Sequence, residues 1–385
     1  MTTDSLFRRA HTRAVDARQA AREFHAGVSQ PDMAMVIFFC SSEYDLEALG
    51  DELNRLFGDV PLLGCTTAGE IGPGGYCGHS LSGVSFPAAA CVVAADRFPL
   101  LQQFKFSAGQ TFAKNLLQSL ESRSPEVSTS NTFAFLLIDG LSVREEPVVY
   151  TLQSVLGNIP LCGGSAGDDR KFASTWIFHE GAFHTDSTLL ILVSTPLPFR
   201  VFKTQHFVSE KERLVVTEAD ATNRVVKEIN GLPAAEEYAR VLGVTVAELT
   251  PDRYSETPIV VVIDGTDYVR SVQKVNPDGS LTFFCAIEDG LVLRVARGAD
   301  IVSNLEQAFG HIQEEIGPLQ LCIGCDCILR NLELARKHLT EQTADLFDRN
   351  NTIGFSTYGE QYGGVHVNQT FTGIAIGTPL EKIDG

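Results

Sequence analysis

The sequence predicts an α/β fold of repeated βαβ units with added hairpins on parallel or mixed sheets, joined by an α+β segment in the C-terminal half. Three observations carry that reading. Apolar runs of buried-strand length recur, each is followed by apolar residues spaced three and four apart, and each helix-like seam leads into a short apolar run ending in a small-residue turn and an acid.

Residues 1–30 read as an N-terminal helical segment, with arginines but no continuous apolar stretch of the signal-peptide kind. The first unit follows as "MAMVIFFC" (33–40), a seam of Leu46, Leu49, Leu53 and Leu56, and "VPLLGCTTAGE" ending at Glu70. The second runs "TFAFLLIDG" (132–140), a seam of Val148, Val149, Leu152 and Leu156, and "IPLCGGSAGDD" ending at Asp169. The third runs "LQLCIGC" (319–325), a seam of Leu332, Ala335, Leu339 and Leu346, and "TIGFSTYGE" ending at Glu360. Units one and three match as G-x-[TS]-T-x-G-E without a gap, and the second matches after a one-residue deletion. A right-handed crossover makes the two strands of each unit parallel and gathers the loops after their carboxyl ends on one edge, where open α/β sheets hold ligands. That edge carries Cys40, Cys65, Asp139, Ser142, Asp168 and the 357–360 turn. "HEGAFH" signals a hairpin, and residues 201–300 change style, with a helix near Ala234 to Leu242 and a hairpin through "NPDG". The expected domains are 31–220 and 221–385, after the helical segment 1–30.

A hydrophobic content of 44% over 385 residues can bury a large core, and the net charge of −18 disfavours nucleic acid and anionic membrane as partners. No apolar run spans a bilayer, so the sequence predicts a cytoplasmic protein, and nine cysteines without a secretion signal read as reduced thiols or ligands.

Cys322, Cys325 and Cys327 form a C-x-x-C-x-C run whose sulfurs could hold zinc or another soft metal, or act as a redox sensor, with Cys40 or Cys65 as a further ligand. The plainer reading makes Cys322 a small buried hydrophobe of a strand. Thr66, Thr67, Glu70, Asp168, Thr357 and Glu360 are the ligand-pocket residues that the turns suggest, against a structural reading in which glycines turn the chain and hydroxyls bond nearby amides. Glu70 and Glu360 could also run acid/base chemistry, but no nucleophile–base pair or water-activating site accompanies them, so no enzyme is expected. His206 and His366 lie in apolar, strand-like contexts that suit either a hydrogen-bonded structural histidine or a haem ligand, and His79, His179 and His184 are lesser candidates.

Several stretches carry a family resemblance. "GCTTAGEIGPGGY", "GGSAGDD" and "GFSTYGEQYGGVHVNQTF" resemble a FIST protein, with the N-terminal region over roughly 30–220 and the C-terminal region over roughly 220–365. "DGLSVREEPV", "FKTQHFV", "RLVVTEAD", "INGLPAAEEYAR" and "IGCDCILR" look like the bacterial nitric-oxide-sensing haem proteins of the NosP type. The resemblance implies a sensor that binds haem through His206 or His366 and detects nitric oxide. It also implies regulation of a partner histidine kinase, or of a diguanylate cyclase or phosphodiesterase, with a homodimer left open. More generally, FIST domains are viewed as small-ligand sensors, with amino acids among the ligands. The alternatives are a haem-free amino-acid sensor and a zinc or thiol redox sensor.

Overall fold

A computed structural model of the chain describes residues 6–124, 126–263 and 266–378. The three expected units are present. They are Met33–Ser41, helix Leu46–Phe57 and Leu62–Thr67; Thr132–Ile138, helix Glu145–Leu156 and Leu161–Ser165; and Leu319–Cys327, helices Ile328–Arg336 and Thr340–Arg349, and Thr352–Thr357. In each the two strands pair in parallel. The repeat is larger than a βαβ unit. Each is preceded by a strand and a helix (Arg8–Thr12 and Ala17–Val28; Val92–Pro99 and Phe106–Arg123; Phe199–Thr204 and Ile301–Ile316) and followed by a hairpin and a return strand. The return strands Leu81–Pro87, Ser187–Ser194 and Phe371–Gly377 run antiparallel between the preceding strand and the first strand of the unit.

The hairpins leave home. Glu70–Gly72 with Gly75–Cys77 pairs on Thr352–Thr357 of unit three, Ile177–His179 with Ala182–His184 on Leu62–Thr67 of unit one, and Glu360–Tyr362 with Val365–Val367 on Leu161–Ser165 of unit two. The exchange is cyclic, and it binds three sheets around one core. Phe39 and Cys65, Phe135 and Cys162, and Ile323, Cys325 and Phe355 meet there, with the Phe39 and Phe355 rings stacked at 4.5 Å. Burying each large apolar side chain contributes roughly 1.5–3 kcal/mol. The glycine of each turn motif follows from close backbone approach: a Cβ on Gly64, Gly163 or Gly354 would stand 2.4, 2.0 or 1.9 Å from a carbonyl oxygen of the neighbouring strand.

The stretch with a different style is an insertion between the strand Phe199–Thr204 and the helix Ile301–Ile316 that precede unit three. It forms one antiparallel sheet around Phe207–Asp220, Val225–Ile229, Ile259–Ile263 and Val292–Gly298, with helix Ala234–Leu242 packed on a separate core through Tyr238. The N-terminal helix Ala17–Val28 is preceded by strand Arg8–Thr12.

One seam differs from expectation. The third unit's helix buries Ile328, Leu329, Arg330, Glu333 and Leu334, whereas Ala335 is exposed, because its inner face carries an ion-pair cluster rather than an apolar stripe. Among the described residues no helix is long and apolar enough to cross a membrane.

Candidate functional site

Where the three units meet, their turns are stitched by backbone hydrogen bonds that repeat with the cycle. The amides of Ala68, Gly167 and Tyr358 donate to the carbonyls of Ser356, Thr66 and Ser165 at 2.9, 3.0 and 3.3 Å. The amides of Thr66, Ser165 and Ser356 donate to Trp176, Gly359 and Gly69 at 3.0, 2.8 and 2.7 Å.

This seam absorbs the turn residues that the sequence puts in a pocket. Glu70 is fully buried and accepts from the Thr67 and Ser80 hydroxyls at 2.5 Å each, and Glu360 is likewise buried and accepts from Thr357 and from Thr370 Oγ1 at 2.8 Å. Burial pushes each carboxyl up to about 8, against hydroxyl donors that favour the ionised form. Thr66 Oγ1 accepts from the Trp176 amide at 3.0 Å. Asp168 accepts the amides of Phe172, Ala173 and Ser174 at 2.8, 2.6 and 2.9 Å, and the Tyr358 hydroxyl. Buried and satisfied, these side chains hold the turns together and do not line an opening.

Pairing register also corrects the equivalence of the acids. Glu70 and Glu360 face Phe355 and Gly164, and the residue in the same place on the remaining arm, facing Cys65, is Ile177. Asp168 and Asp169 lie in a loop that unit two inserts before its arm. That loop takes positive φ at Asp169, Arg170 and Phe172, and Asp169 accepts from the Ser41 and Ser42 hydroxyls at 2.9 and 2.8 Å.

The thiols do not converge as a triad. Alternate residues of a strand face opposite sides, so Cys322 joins the outer core under helix Ile301–Ile316 while Cys325 faces the central core and Cys327 sits beside Ile328 and Tyr358. All nine cysteines are buried and unpaired, and burial pushes Cys322 up to about 12 and Cys325 and Cys327 well above the usual thiol range. Among the described residues no group of three or more His, Cys, Asp and Glu side chains is placed to hold a metal ion.

His206 has both ring nitrogens engaged. Arg330 donates to Nδ1 at 3.0 Å, and Nε2 donates to Glu333 at 3.0 Å, in a buried row that continues from Arg330 to Asp326 at 2.7 Å and from Glu333 to Lys337 at 2.6 Å. Burial holds the imidazole below its usual range, in keeping with a neutral ring that accepts at Nδ1. The "DCILRNLELARK" stretch signals this row, since Asp326, Arg330, Glu333 and Lys337 recur at helical spacing. His366 is buried with Nε2 unpartnered, but a Cβ on Gly359 would stand 2.7 Å from that nitrogen, so backbone closes the approach. Neither histidine offers haem an open coordination position in this structure. Of the others, His79 contacts Glu43 at 3.2 Å, His184 contacts the His179 carbonyl at 3.2 Å, and His179 is buried with Nδ1 unpartnered.

The ligand edge does open at unit two. A cleft of about 400 Å³ separates the Gly140–Arg144 loop from the inserted domain, with Thr222–Arg224, Gln273 and Thr282–Phe284 on the far wall and Tyr358 also lining it. Arg224 ties the walls by donating to Glu145 at 2.7 Å, to Glu146 at 2.5 Å and to the Phe284 carbonyl at 2.5 Å. Arg144 has no side-chain partner among the described residues, a cation left available to the cleft. Beside it Val143 is 41% exposed with φ +56°. A β-branched residue in the left-handed region costs on the order of 1–3 kcal/mol and points to a functional constraint. The sequence put Asp139 and Ser142 on this edge. It gave no signal for the far wall, which comes from roughly 80–140 residues away and meets the loop through tertiary packing alone.

The FIST N domain matches residues 34–232 of this chain and the FIST C domain residues 234–363. Among solved structures the chain is similar to a cyanuric acid hydrolase, described as an evolutionary innovation by structural concatenation, at 10% identity and a TM-score of 0.36 over 96% of this chain and 100% of that one. No curated protein matches the chain.

Proposed function

The chain belongs to the FIST family, whose domains serve ligand sensing in signal transduction, and on that premise we propose that it takes a small polar, anionic ligand in the cleft between unit two and the inserted domain. The observation that carries the proposal is the pairing of an unpartnered Arg144 with a strained Val143 on the wall of an opening of ligand size. A ligand that touches both walls binds the closed arrangement better and shifts the population toward it, and the change of surface is what a partner such as a histidine kinase or a cyclic-di-GMP enzyme would read in the cytoplasm. No catalysis is proposed: Glu70 and Glu360, the acids an enzyme would use, are sealed in the seam.

Thermal melts against the amino acids and a set of small carboxylates test the reading. A ligand at a hundred times its Kd adds about 2.7 kcal/mol of stability. The expected result is a Tm rise with at least one of them that Arg144→Ala removes without lowering the ligand-free Tm. A panel without effect, or a rise that survives Arg144→Ala, would sink it.

A second reading, haem-based sensing of nitric oxide, is favoured by one atom, the buried and unpartnered Nε2 of His366. It requires the Gly359 turn to move. Stoichiometric haem uptake lost in His366→Ala but kept in His206→Ala would support it, and weak uptake unchanged by either substitution would remove it.

A further inference from the structure

The three junctions between neighbouring units are related by the cycle, yet they are filled differently. Between units two and three the link Thr195–Pro198 leads into Phe199, whose ring meets that of Phe133 at 5.1 Å. Between units three and one, Arg9 reaches across to Asn351 at 2.7 Å and to the Thr352 carbonyl at 3.2 Å. Between units one and two the corresponding link is Ala88-Ala89-Ala90-Cys91, anchored by the Ala88 amide on Asp32 at 2.7 Å just as Thr195 is anchored on Asn131 at 2.8 Å. Small side chains stand there where the next junction has Pro, Leu and Phe, and the groove is about 790 Å³, against about 300 Å³ along Thr195–Pro198 and about 460 Å³ beside Arg9 and Asn351.

Its walls are Val60, Leu62, Leu63, Val92, Val93 and Ala95. Leu63 and the neighbouring Cys91 belong to the central core, and Val93 and Ala95 pack against it, so the groove leads into the apolar interior. Water there would face few polar partners, which favours an apolar occupant. Two charged side chains stand at the rim. Arg123 spends one N–H on the Val93 carbonyl at 3.0 Å and has no acidic partner among the described residues, and Glu180 is exposed on the arm turn, which Asn54 holds through Gly181 at 2.8 Å. His179, buried with Nδ1 unpartnered, is a further polar group of the lining.

From this geometry we propose that the groove between units one and two is a second ligand site, for a chain-like apolar molecule ending in a carboxylate, with the chain along Val60 to Ala95 and the carboxylate at Arg123. The volume lies within the range of small-molecule sites, about 300–1,000 Å³. The site is separate from the Arg144 cleft and does not depend on it.

Calorimetric titration of the full chain with dodecanoate below its micellar range tests the assignment, with dodecanol as the uncharged control and each variant's melt as a check on folding. One saturable site is expected. Ala95→Phe fills the groove and should abolish binding, Arg123→Gln should weaken dodecanoate about fivefold with dodecanol unchanged, and Glu180→Gln should tighten dodecanoate about twofold, the modest effects of exposed charge pairs. Absence of saturable binding, or binding equal in wild type and folded Ala95→Phe, would overturn the site. Loss in Ala95→Phe with no effect of Arg123→Gln would overturn the carboxylate assignment. Arg144→Ala should leave the titration untouched, so failure here and failure of the cleft reading are told apart.

Discussion

The turns of units one and three and the turn of unit two share one backbone frame and carry opposite chemistry. In the first pair a buried glutamate is closed off by hydroxyls of its own turn and return strand, Thr67 with Ser80 and Thr357 with Thr370. In unit two the glutamate is replaced by Ile177, the turn threonine by Ala166, and the chain spends about eight further residues on a loop whose Phe172 ring packs on Tyr358 and Phe284 beside the cleft. The difference teaches that repetition builds the scaffold, while the cleft proposed to hold a ligand lies beside the copy that departs from the repeat.

The hardest blow to that contrast is Ile177→Glu. The new carboxyl would be buried beside Ala166, with Ser187 in the place of Ser80 and Thr370 but no turn hydroxyl, and an incompletely compensated buried acid costs about 3–5 kcal/mol. Urea unfolding should show that loss, and a cost below about 1 kcal/mol would mean that the seam accepts an acid without its partners. A change of pH probes the same contrast from the other side. Glu70 and Glu360 sit at about 8 when folded and near 4.3 when unfolded. The folded state therefore holds the extra protons, so their stabilising share is complete below about pH 4.3 and is lost as pH rises toward about 8. Each group contributes a slope of at most ~1.4 kcal/mol per pH unit, and Glu360→Gln should remove its part while a profile identical to wild type would show that Glu360 is already ionised. The mildest change sharpens the picture at the cleft. Val143→Gly relieves the positive φ and should raise stability by about 1 kcal/mol while weakening whichever ligand raises the Tm of wild type. A destabilised variant would show that the Val143 side chain does more for packing than its backbone costs.

Much of the scaffold was legible in the sequence. The parallel strand pairs, the hairpin at "HEGAFH" and the helix Ala234–Leu242 follow from local apolar periodicity and turn residues, which a single sequence displays. The destination of the arms was not legible, because a hairpin reads the same whether it pairs at home or on a neighbour. The acid of unit two reads as Asp169 in the sequence for a related reason: a one-residue gap lines it up with Glu70 and Glu360, and only strand register reveals the inserted loop and Ile177. The histidine at 206 and the thiols at 322, 325 and 327 show the limit of composition. Spacing brings residue types together along the chain, and a strand then turns neighbours to opposite faces or, as with Arg330 and Glu333, a helix supplies partners that occupy the ring.

The cyclic exchange of hairpins also sets an order of events at the ribosome. Glu70 pairs with Phe355, about 285 residues later, and at roughly 5–20 residues per second the first arm waits on the order of 15–60 s for its strand to be made. During that wait the Glu70–Cys77 hairpin is an unsatisfied edge, whereas the arm of unit two reaches Cys65 after about 110 residues, so the cycle stays open at the junction of units one and three until nearly all of the chain has been translated. Native assembly is thus a closing step near the end of synthesis, and codon changes that slow translation between units two and three should lower the soluble yield without altering a single amino acid.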